Sequence, residues 1–216
     1  MSKVHKHLTL VVAALAAVSL SAADEPFVAF DNTLTPNQNL GYSSAFEFGD
    51  QLKLASGLPS GTYPVTDFQF EYRSGSAGTA VLRFYDMNGP VKNGFATPGN
   101  LLFETPSIPI AAGPGHSQAL NFGANSPLAV PNDFTWTISF SGTSTGELLL
   151  YDGFQAGSSL SDFWHKDAGG EWVLATLDNG NIPANFAAKV TVVPEPSTLV
   201  LALLAGGGLL ALRRRS

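Results

Sequence analysis

Ser144 stands at the centre of a short pattern that could do chemistry, since Gly142–Gly146 reads GTSTG and matches the G-x-S-x-G nucleophile elbow. That elbow needs a strand before the serine and a helix after it, so that the hydroxyl sits on a strained turn. Here sequence typical of strands lies on both sides, which predicts a hairpin tip. Beyond the first 23 residues the histidines are His116 and His165, and neither is placed as an evident base. We therefore expect no serine hydrolase.

Three acids, Asp162, Asp167 and Glu171, lie close in sequence to two tryptophans and are the residues best suited to glycosidase chemistry. Such enzymes use two carboxyl groups about 5–5.5 Å or about 6.5–9.5 Å apart. Spacing along the chain establishes neither separation, and most acids of this chain fall on strand faces or in turns. We expect no catalytic residue, and a glycoside hydrolase that uses these acids is the alternative.

Asp86 and Asn88 belong to a fragment of a calcium-loop pattern, because Tyr85–Pro90 reads YDMNGP and the pattern is D-x-[DN]-x-[DN]-G. Calcium takes roughly six to eight oxygen ligands. This segment provides two side chains and lacks the terminal glutamate. Asn88 and Gly89 are also the residue types that a tight turn needs for positive φ. We predict a turn and no cofactor, with calcium at Asp86 and Asn88 as the alternative.

Trp164 and Trp172 flank a predicted turn, since Asp167–Gly170 separates two short apolar segments. Folding the segment there as a hairpin places the two indoles roughly opposite each other. Packing in a core is the commoner use of tryptophan, whereas an exposed pair would form a stacking platform for sugar rings. The pair is a candidate ligand platform, with core packing as the other interpretation.

The segments that carry these residues have the sequence pattern of β-structure almost throughout. Residues 64–74 (PVTDFQFEYRS) alternate between one face with Phe68 and Phe70 and another with Asp67 and Glu71. This period of two predicts a half-buried antiparallel strand. Residues 133–140 repeat the pattern, with Phe134, Trp136, Ile138 and Phe140 facing inward and Thr135, Thr137 and Ser139 facing outward.

Clusters of Gly, Pro, Asn and Ser separate the strand-like segments at short intervals, which is typical of a sandwich or barrel. We therefore predict an all-β fold in which residues 24–193 form a single antiparallel, jelly-roll-like β-sandwich. The long connection at residues 87–100 is where binding residues would sit on a rigid sheet. Further strand candidates are FVAF, QLKLA, TAVLRFYD, NLLFETP, SQALNF, GELLLYDG, EWVLAT and NFAAKVTVV.

Residues 24–193 are strongly acidic, because six lysines and arginines face 16 aspartates and glutamates, for a formal charge of −10. Such a domain repels nucleic acid and anionic lipid surfaces, so we expect no nucleic-acid partner. The chain has no cysteine. It therefore folds without disulfides and offers no thiol nucleophile or cysteine-type metal site.

Residues 1–23 have the three parts of a secretory signal peptide. Two lysines give a positive start, an apolar run extends from Leu8 to Leu20, and small residues end at Ala23. The run is well short of the roughly 20 residues that a spanning helix needs, which argues against a retained membrane anchor. We predict cleavage between Ala23 and Asp24.

Residues 194–216 combine a Pro-Glu-Pro motif, an apolar segment and a basic end. The prolines end the last strand because they cannot donate to a sheet. A transmembrane helix is predicted over about 198–212, roughly 20 Å long against a hydrocarbon core of roughly 30 Å. A basic cluster after an apolar run stops export and stays in the cytoplasm. The motif residues are Pro194, Glu195 and Pro196, and the basic residues are Arg213, Arg214 and Arg215.

This arrangement over Val193–Ser216 resembles the PEP-CTERM sorting signal of exported bacterial proteins. The resemblance implies an exosortase-type membrane protease as partner, which recognises the Pro-Glu-Pro region and releases or transfers the body to the cell surface. The chain would then be anchored in the inner membrane only transiently. Bacteria with such proteins make exopolysaccharide, so a surface or extracellular-matrix role is implied.

Two functions follow from these observations. The first is an exported surface or matrix protein whose non-catalytic β-sandwich binds polysaccharide or a surface partner. The alternative is a secreted polysaccharide-active enzyme that uses acids near Trp164 and Trp172.

Overall fold

The computed structural model of this chain describes residues 25–55, 61–123 and 128–193. The signal peptide predicted for 1–23 and the sorting tail predicted for 194–216, with its helix, lie outside the described residues. The compact unit of the fold extends from Pro26 to Val193. Among the residues that the structure describes, no helix has the length and hydropathy to cross a membrane.

The described residues form short and long strands and one 3₁₀ turn at Asp178–Gly180. Their strand pairs run antiparallel, so the predicted all-β, antiparallel class is confirmed. The first strands are β1 (Phe27–Asp31), β2 (Pro36–Tyr42), β3 (Phe48–Lys53), β4 (Thr62–Ser74), β5 (Gly78–Asp86), β6 (Val91–Lys92), β7 (Phe95–Ala96), β8 (Leu101–Glu104) and β9 (Ile108–Ile110). They are followed by β10 (Gly113–Asn121), β11 (Leu128–Pro131), β12 (Asp133–Ser141), β13 (Gly146–Tyr151), β14 (Ser158–Ser159), β15 (Phe163–Lys166), β16 (Trp172–Ala175) and β17 (Ala188–Val192).

The strands form two large sheets and one small hairpin. The seven-stranded sheet has the order β1-β17-β4-β13-β2, with β10 and β11 also paired to β4. The eight-stranded sheet has the order β16-β15-β3-β12-β5-β8, with β14 beside β3 and β9 beside β5. Strands β6 and β7 pair with each other inside the long connection at residues 87–100.

The 13 residues of β4 show how the alternating sequence builds the core. Phe68 and Phe70 are fully buried, while Asp67 and Glu71 on the other face are partly exposed, as predicted. Phe68 packs edge-on against a tryptophan of the other sheet, Trp136, with ring centroids 5.0 Å apart. Side chains of both large sheets therefore share one hydrophobic cluster.

The outer face of β12 departs from the prediction. Thr135 and Thr137 point away from the core as expected, yet both are fully buried. The Thr135 hydroxyl lies 2.9 Å from the sulfur of Met87, and the Thr137 hydroxyl donates to Glu47 at 2.7 Å. The expectation of a solvated face is wrong here because other segments cover it.

The last described strand, β17, lies inside the seven-stranded sheet between β1 and β4. Its side chains at Ala188, Val190 and Val192 are fully buried. Val192 pairs with Phe27, so the first and last described strands lie side by side.

Candidate functional site

A cluster on the outer face of the eight-stranded sheet forms the candidate site. We call it the Trp172 site and define it as Glu47, Arg83, Tyr85, Lys166 and Trp172. Side chains alternate along β5, so that Leu82 and Phe84 face the core while Arg83 and Tyr85 lie on the outer face of the sheet. Glu47 precedes β3, Lys166 ends β15 and Trp172 begins β16.

Glu47 is the centre of the site and is only 8% exposed. Its Oε1 accepts hydrogen bonds from the hydroxyls of Tyr85 at 2.8 Å and Thr137 at 2.7 Å. Its Oε2 accepts from Lys166 Nζ at 2.9 Å and from the Arg83 guanidinium at 3.2 Å. A buried carboxylate is tolerated only when it is paired and hydrogen-bonded, and these four donors meet that requirement. Glu47 thereby joins β5, β12 and β15 at one point.

Lys92 of β6 brings the long connection to the site. Its Nζ donates to the backbone carbonyl of Trp172 at 3.2 Å and to the Glu171 carboxylate at 3.0 Å. With Arg83 and Lys166 it makes three of the six cations of the predicted domain. Half of the positive charges of this acidic body therefore lie around this site.

The indole of Trp172 is half-buried and contacts two neighbours of the site. Its ring lies 5.4 Å from that of Tyr85, centroid to centroid, with an angle of 80° between the planes. The ammonium of Lys166 lies 4.7 Å from the indole centroid. Edge-to-face and cation–π contacts of this kind are favourable and orient the ring. The residue remains partly accessible to solvent.

The hydroxyl of Tyr85 is a hydrogen-bond donor and remains protonated. Burial, followed by the charge of Glu47 and the hydrogen bond to it, raises the pKa of Tyr85 far above its ordinary value. A phenol held protonated in this way orients Glu47 and does not serve as a base at neutral pH.

The structure places Trp164 in the protein interior. Its side chain is fully buried, and the indole N–H donates to Gln51 Oε1 at 3.3 Å. The core-packing interpretation therefore applies to Trp164, and a platform that uses both Trp164 and Trp172 is not formed.

The register of the β15–β16 hairpin explains why the two tryptophans differ. The turn forms where the sequence predicts it, but Trp164 pairs with Leu174, two residues beyond Trp172. The backbone N–H of Asp167 donates to the Glu171 carbonyl at 3.0 Å, which leaves three residues in the turn. The residue types of a turn show where it lies, but they do not fix how many residues it contains, and the turn length sets the register of the hairpin. The predicted register was therefore wrong by two residues.

The acids predicted for the glycosidase alternative have separate environments. The Asp167 carboxylate accepts the backbone N–H groups of Gly169 at 2.8 Å and Glu171 at 2.9 Å, and so holds the turn. Glu171 pairs with Lys92. Burial raises the pKa of Asp162.

Two neighbouring cavities lie beside β14. A cleft of about 480 Å³ is lined by Lys53, Phe154 and residues around them, with no carboxylate among its described lining residues. A hollow of about 80 Å³ next to it has one, Asp133, which accepts the Gln51 amide at 2.8 Å. Neither cavity brings together the two carboxyl groups that glycosidase chemistry uses.

Asp50 is, like Glu47, a buried acid that sequence reasoning missed. It is fully buried in β3, and its carboxylate accepts Ser159 Oγ at 2.8 Å and the backbone N–H of Phe186 at 3.3 Å. Burial raises the pKa of Asp50 well above its usual range. The sequence pattern could have identified it, because Asp50 alternates with the apolar residues Phe48 and Leu52 and therefore lies at a core-facing position of β3.

Asp86 and Asn88 hold the long connection closed. Asp86 accepts the backbone N–H of Asn100 at 2.8 Å and its side-chain amide at 3.0 Å, and Asn88 accepts the same N–H at 3.2 Å. Within residues 25–55, 61–123 and 128–193, no group of three or more acids or histidines could hold a metal ion.

Ser144 lies in the connection between β12 and β13, with strands on both sides as predicted. Its backbone N–H donates to the hydroxyl of Ser76 at 2.8 Å. The strand-to-helix context of a nucleophile elbow is therefore absent around this described serine.

Comparison of the chain with protein-family models, curated proteins and solved structures returns no match. The Trp172 site is therefore interpreted from its own chemistry. It offers a fixed, partly exposed indole beside charged groups that already have partners. Such a surface can stack on the apolar face of a ring, but it presents no activated nucleophile.

Proposed function

We propose that this chain is an exported cell-surface or extracellular-matrix protein, sorted through residues 194–216, whose folded body is a non-catalytic binding module. The observation that carries the proposal is the order of the tail: a Pro-Glu-Pro motif, a short apolar segment and three arginines. An amino-terminal signal peptide supports the same route. The partner is an exosortase-type membrane protease, and the stay in the inner membrane is transient.

Substitution of Glu195 by Ala tests this route, because it changes the motif and leaves the hydrophobic length unchanged. Wild-type chain with an epitope tag after Ala23 should yield a shortened form at the surface of a host with the protease. The Glu195→Ala chain should stay at full length in the inner-membrane fraction, whereas a Ser216→Ala control should behave as wild type. Surface delivery of Glu195→Ala at wild-type size and yield would make the tail a plain membrane anchor.

We propose further that residues 24–193 form one jelly-roll-like β-sandwich. The support is the hydrophobic cluster to which both large sheets contribute. Rings of the two sheets are in contact, as between Phe68 and Phe84, whose centroids are 5.0 Å apart. Packing of two antiparallel sheets over a common core is the architecture of a sandwich.

The ligand of this body is a polysaccharide, and we assign its contact to the Trp172 site. Half-buried Trp172 is oriented by Tyr85 and Lys166, so that little side-chain entropy is lost when a ring stacks on it. The neighbouring cations have acidic partners, which suits a sugar that is recognised by stacking and hydrogen bonds more than by charge.

A secreted polysaccharide-active enzyme that uses acids near Trp164 and Trp172 is the second candidate, favoured by Asp162, whose pKa is raised by burial. A raised pKa is what a general acid needs. The test is release of reducing ends from the host polysaccharide. Activity that is lost in Asp162→Asn and kept in Asp67→Asn would favour the enzyme; absence of activity in wild type favours the binding module.

A further inference from the structure

Lys53, at the end of β3, is an exposed cation without an acidic partner among the described residues. Residues 56–60 and 124–127, the internal segments outside the described part of the chain, contain no aspartate or glutamate. The other cations of the body, by contrast, each pair with an acid: Arg73, Arg83, Lys92, Lys166 and Lys189. Lys53 is therefore different from the rest of the positive charges of the fold.

Asp133 is the acid that could have neutralised Lys53, since the two residues lie opposite each other in the β3–β12 register. Its carboxylate instead accepts a hydrogen bond from the side-chain amide of Gln51 at 2.8 Å. An ammonium group has three donors and no acceptor, so it binds anions and hydrogen-bond acceptors. Lys53 is left available to an anion that comes from outside the chain.

The cleft of about 480 Å³ beside β14 gives Lys53 a place to bind such an anion. Sites for small molecules commonly enclose about 300–1,000 Å³ and combine an apolar wall with a few polar groups. Phe154 supplies the aromatic part of the wall and is 37% exposed. Its ring packs edge-on against fully buried Phe30, with centroids 5.8 Å apart. The core therefore orients the aromatic ring that a ligand would meet.

Asn132 adds an unused hydrogen-bond acceptor to the lining of this cleft. Its Oδ1 atom is buried and accepts no hydrogen bond from any described residue. Buried polar atoms normally have a partner, because leaving one unpaired costs stability. A hydroxyl group of a ligand in the cleft can donate to this oxygen.

The wall of the cleft is held in place by contacts within the fold. Gly157 has a φ of 71°, and a Cβ at this position would lie 2.6 Å from the carbonyl oxygen of Lys53 and 2.7 Å from the ring of Phe30. Only glycine permits so close an approach. The backbone N–H of Asp31 also donates to the carbonyl of Ala156 at 3.0 Å. A ligand therefore meets a site that needs little ordering.

We infer that this cleft, which we call the Lys53 cleft and define by Lys53, Asn132 and Phe154, binds a hexuronate, a sugar that carries one carboxylate. The carboxylate pairs with Lys53, the sugar ring lies against Phe154, and a ring hydroxyl donates to Asn132. One lysine in a body of net charge −10 suits a single negative charge better than a phosphate dianion.

The Lys53 cleft shares no residue with the Trp172 site. It adds a second contact, selective for charge, to the proposed binding module and is independent of the sorting route.

The experiment measures affinities by ligand-observed NMR for the full-length chain, held in a detergent whose headgroup is not a sugar. The probes are glucuronate, glucose with the same ring but no charge, and acetate with the charge but no ring. Glucuronate should bind about tenfold or more tightly than either. Methyl glucuronoside distinguishes the sources: affinity equal to that of glucuronate indicates a unit within a polysaccharide, and weaker binding indicates a free sugar acid.

Two variants locate the binding, and a thermal melt of each measures folding. Lys53→Gln should weaken glucuronate binding about tenfold and leave glucose unchanged, because it removes only the charge. Phe154→Ala should weaken both sugars. Lys189→Gln is the matched control, since Lys189 lies in the other large sheet and pairs with Asp31.

Glucuronate affinity that equals that of glucose, or that is unchanged in Lys53→Gln, overturns the inference. If Trp172→Ala loses glucuronate binding and Lys53→Gln keeps it, the sugar acid binds at the Trp172 site. That result overturns the Lys53 cleft and leaves the proposed binding module standing.

Discussion

At the scale of single residues, Trp164 and Trp172 show how one hairpin gives the same side chain two roles. Trp164 is fully buried and hydrogen-bonded to Gln51. Trp172 keeps part of its surface in solvent while Tyr85 and Lys166 hold its ring. Trp164 therefore contributes to the buried part of the fold, whereas Trp172 is the residue to which we assign the proposed binding.

Replacement of Trp172 by Ala should abolish most glycan binding and leave the fold intact. Loss of a tryptophan at the centre of a binding site weakens affinity by about tenfold or more. Retardation in native gels that contain the host polysaccharide measures binding, and a thermal melt measures folding. Val173→Ala is the matched control because Val173 is exposed on the opposite face of the same strand. If Trp172→Ala is retarded as strongly as the wild-type protein, the Trp172 site does not bind the polysaccharide.

The buried carboxyl of Asp50 should make the free energy of unfolding depend on pH. Its pKa is near 3.9 in the unfolded chain and is raised in the folded protein by burial. Between these two values the folded state binds more protons, so this carboxyl lowers the free energy of unfolding as the pH rises. The groups facing Asp50 are the Ser159 hydroxyl, the backbone N–H groups of Phe186 and Gln51, and the carboxyl of Asp162.

The test compares urea unfolding of wild type and Asp50→Asn from pH 4 to pH 7. The variant should lose less stability than wild type over this range, because it has no charge to bury. Asp67→Asn, on the outer face of β4, is the control and should follow the wild-type slope. Equal slopes in wild type and Asp50→Asn would contradict the buried-charge explanation.

At the scale of elements, the sequence predicts what depends on local alternation. The two faces of β4 and the inward face of β12 are predicted correctly, because period-two patterns report which face is apolar. The burial of Thr135 and Thr137 could not be read from β12, since it depends on distant segments that reach over it. The Trp172 site was missed in part for the same reason, because Glu47 and Tyr85 are 38 positions apart.

Trp136 joins the two large sheets and should be the most sensitive aromatic position of β12. It is fully buried and contacts Phe68 and Phe70 of β4. Trp136→Ala should lower the free energy of unfolding by about 3–5 kcal/mol, measured by urea denaturation. Trp136→Phe should cost less, because the indole N–H has no acceptor among the described residues. A loss below about 1 kcal/mol for the Ala variant would contradict its place in the core.

At the scale of the whole molecule, an acidic, cysteine-free β-body is joined to two short apolar ends. The compact unit begins at Pro26 and ends at Val193. The body folds without disulfides, and its net charge of −10 favours solubility. The order of predicted signal peptide, β-body and predicted sorting tail connects the fold to the proposed export route.

In the proposed route, the tail holds the body in the inner membrane only until it is processed. A pulse-chase of the wild-type chain, tagged after Ala23 and fractionated over time, tests this order of events. Full-length protein should appear first in the inner membrane and then decline as a shorter, tagged form accumulates at the surface or in the extracellular matrix. A full-length form that stays in the inner membrane throughout the chase, with no shorter product, would contradict the account.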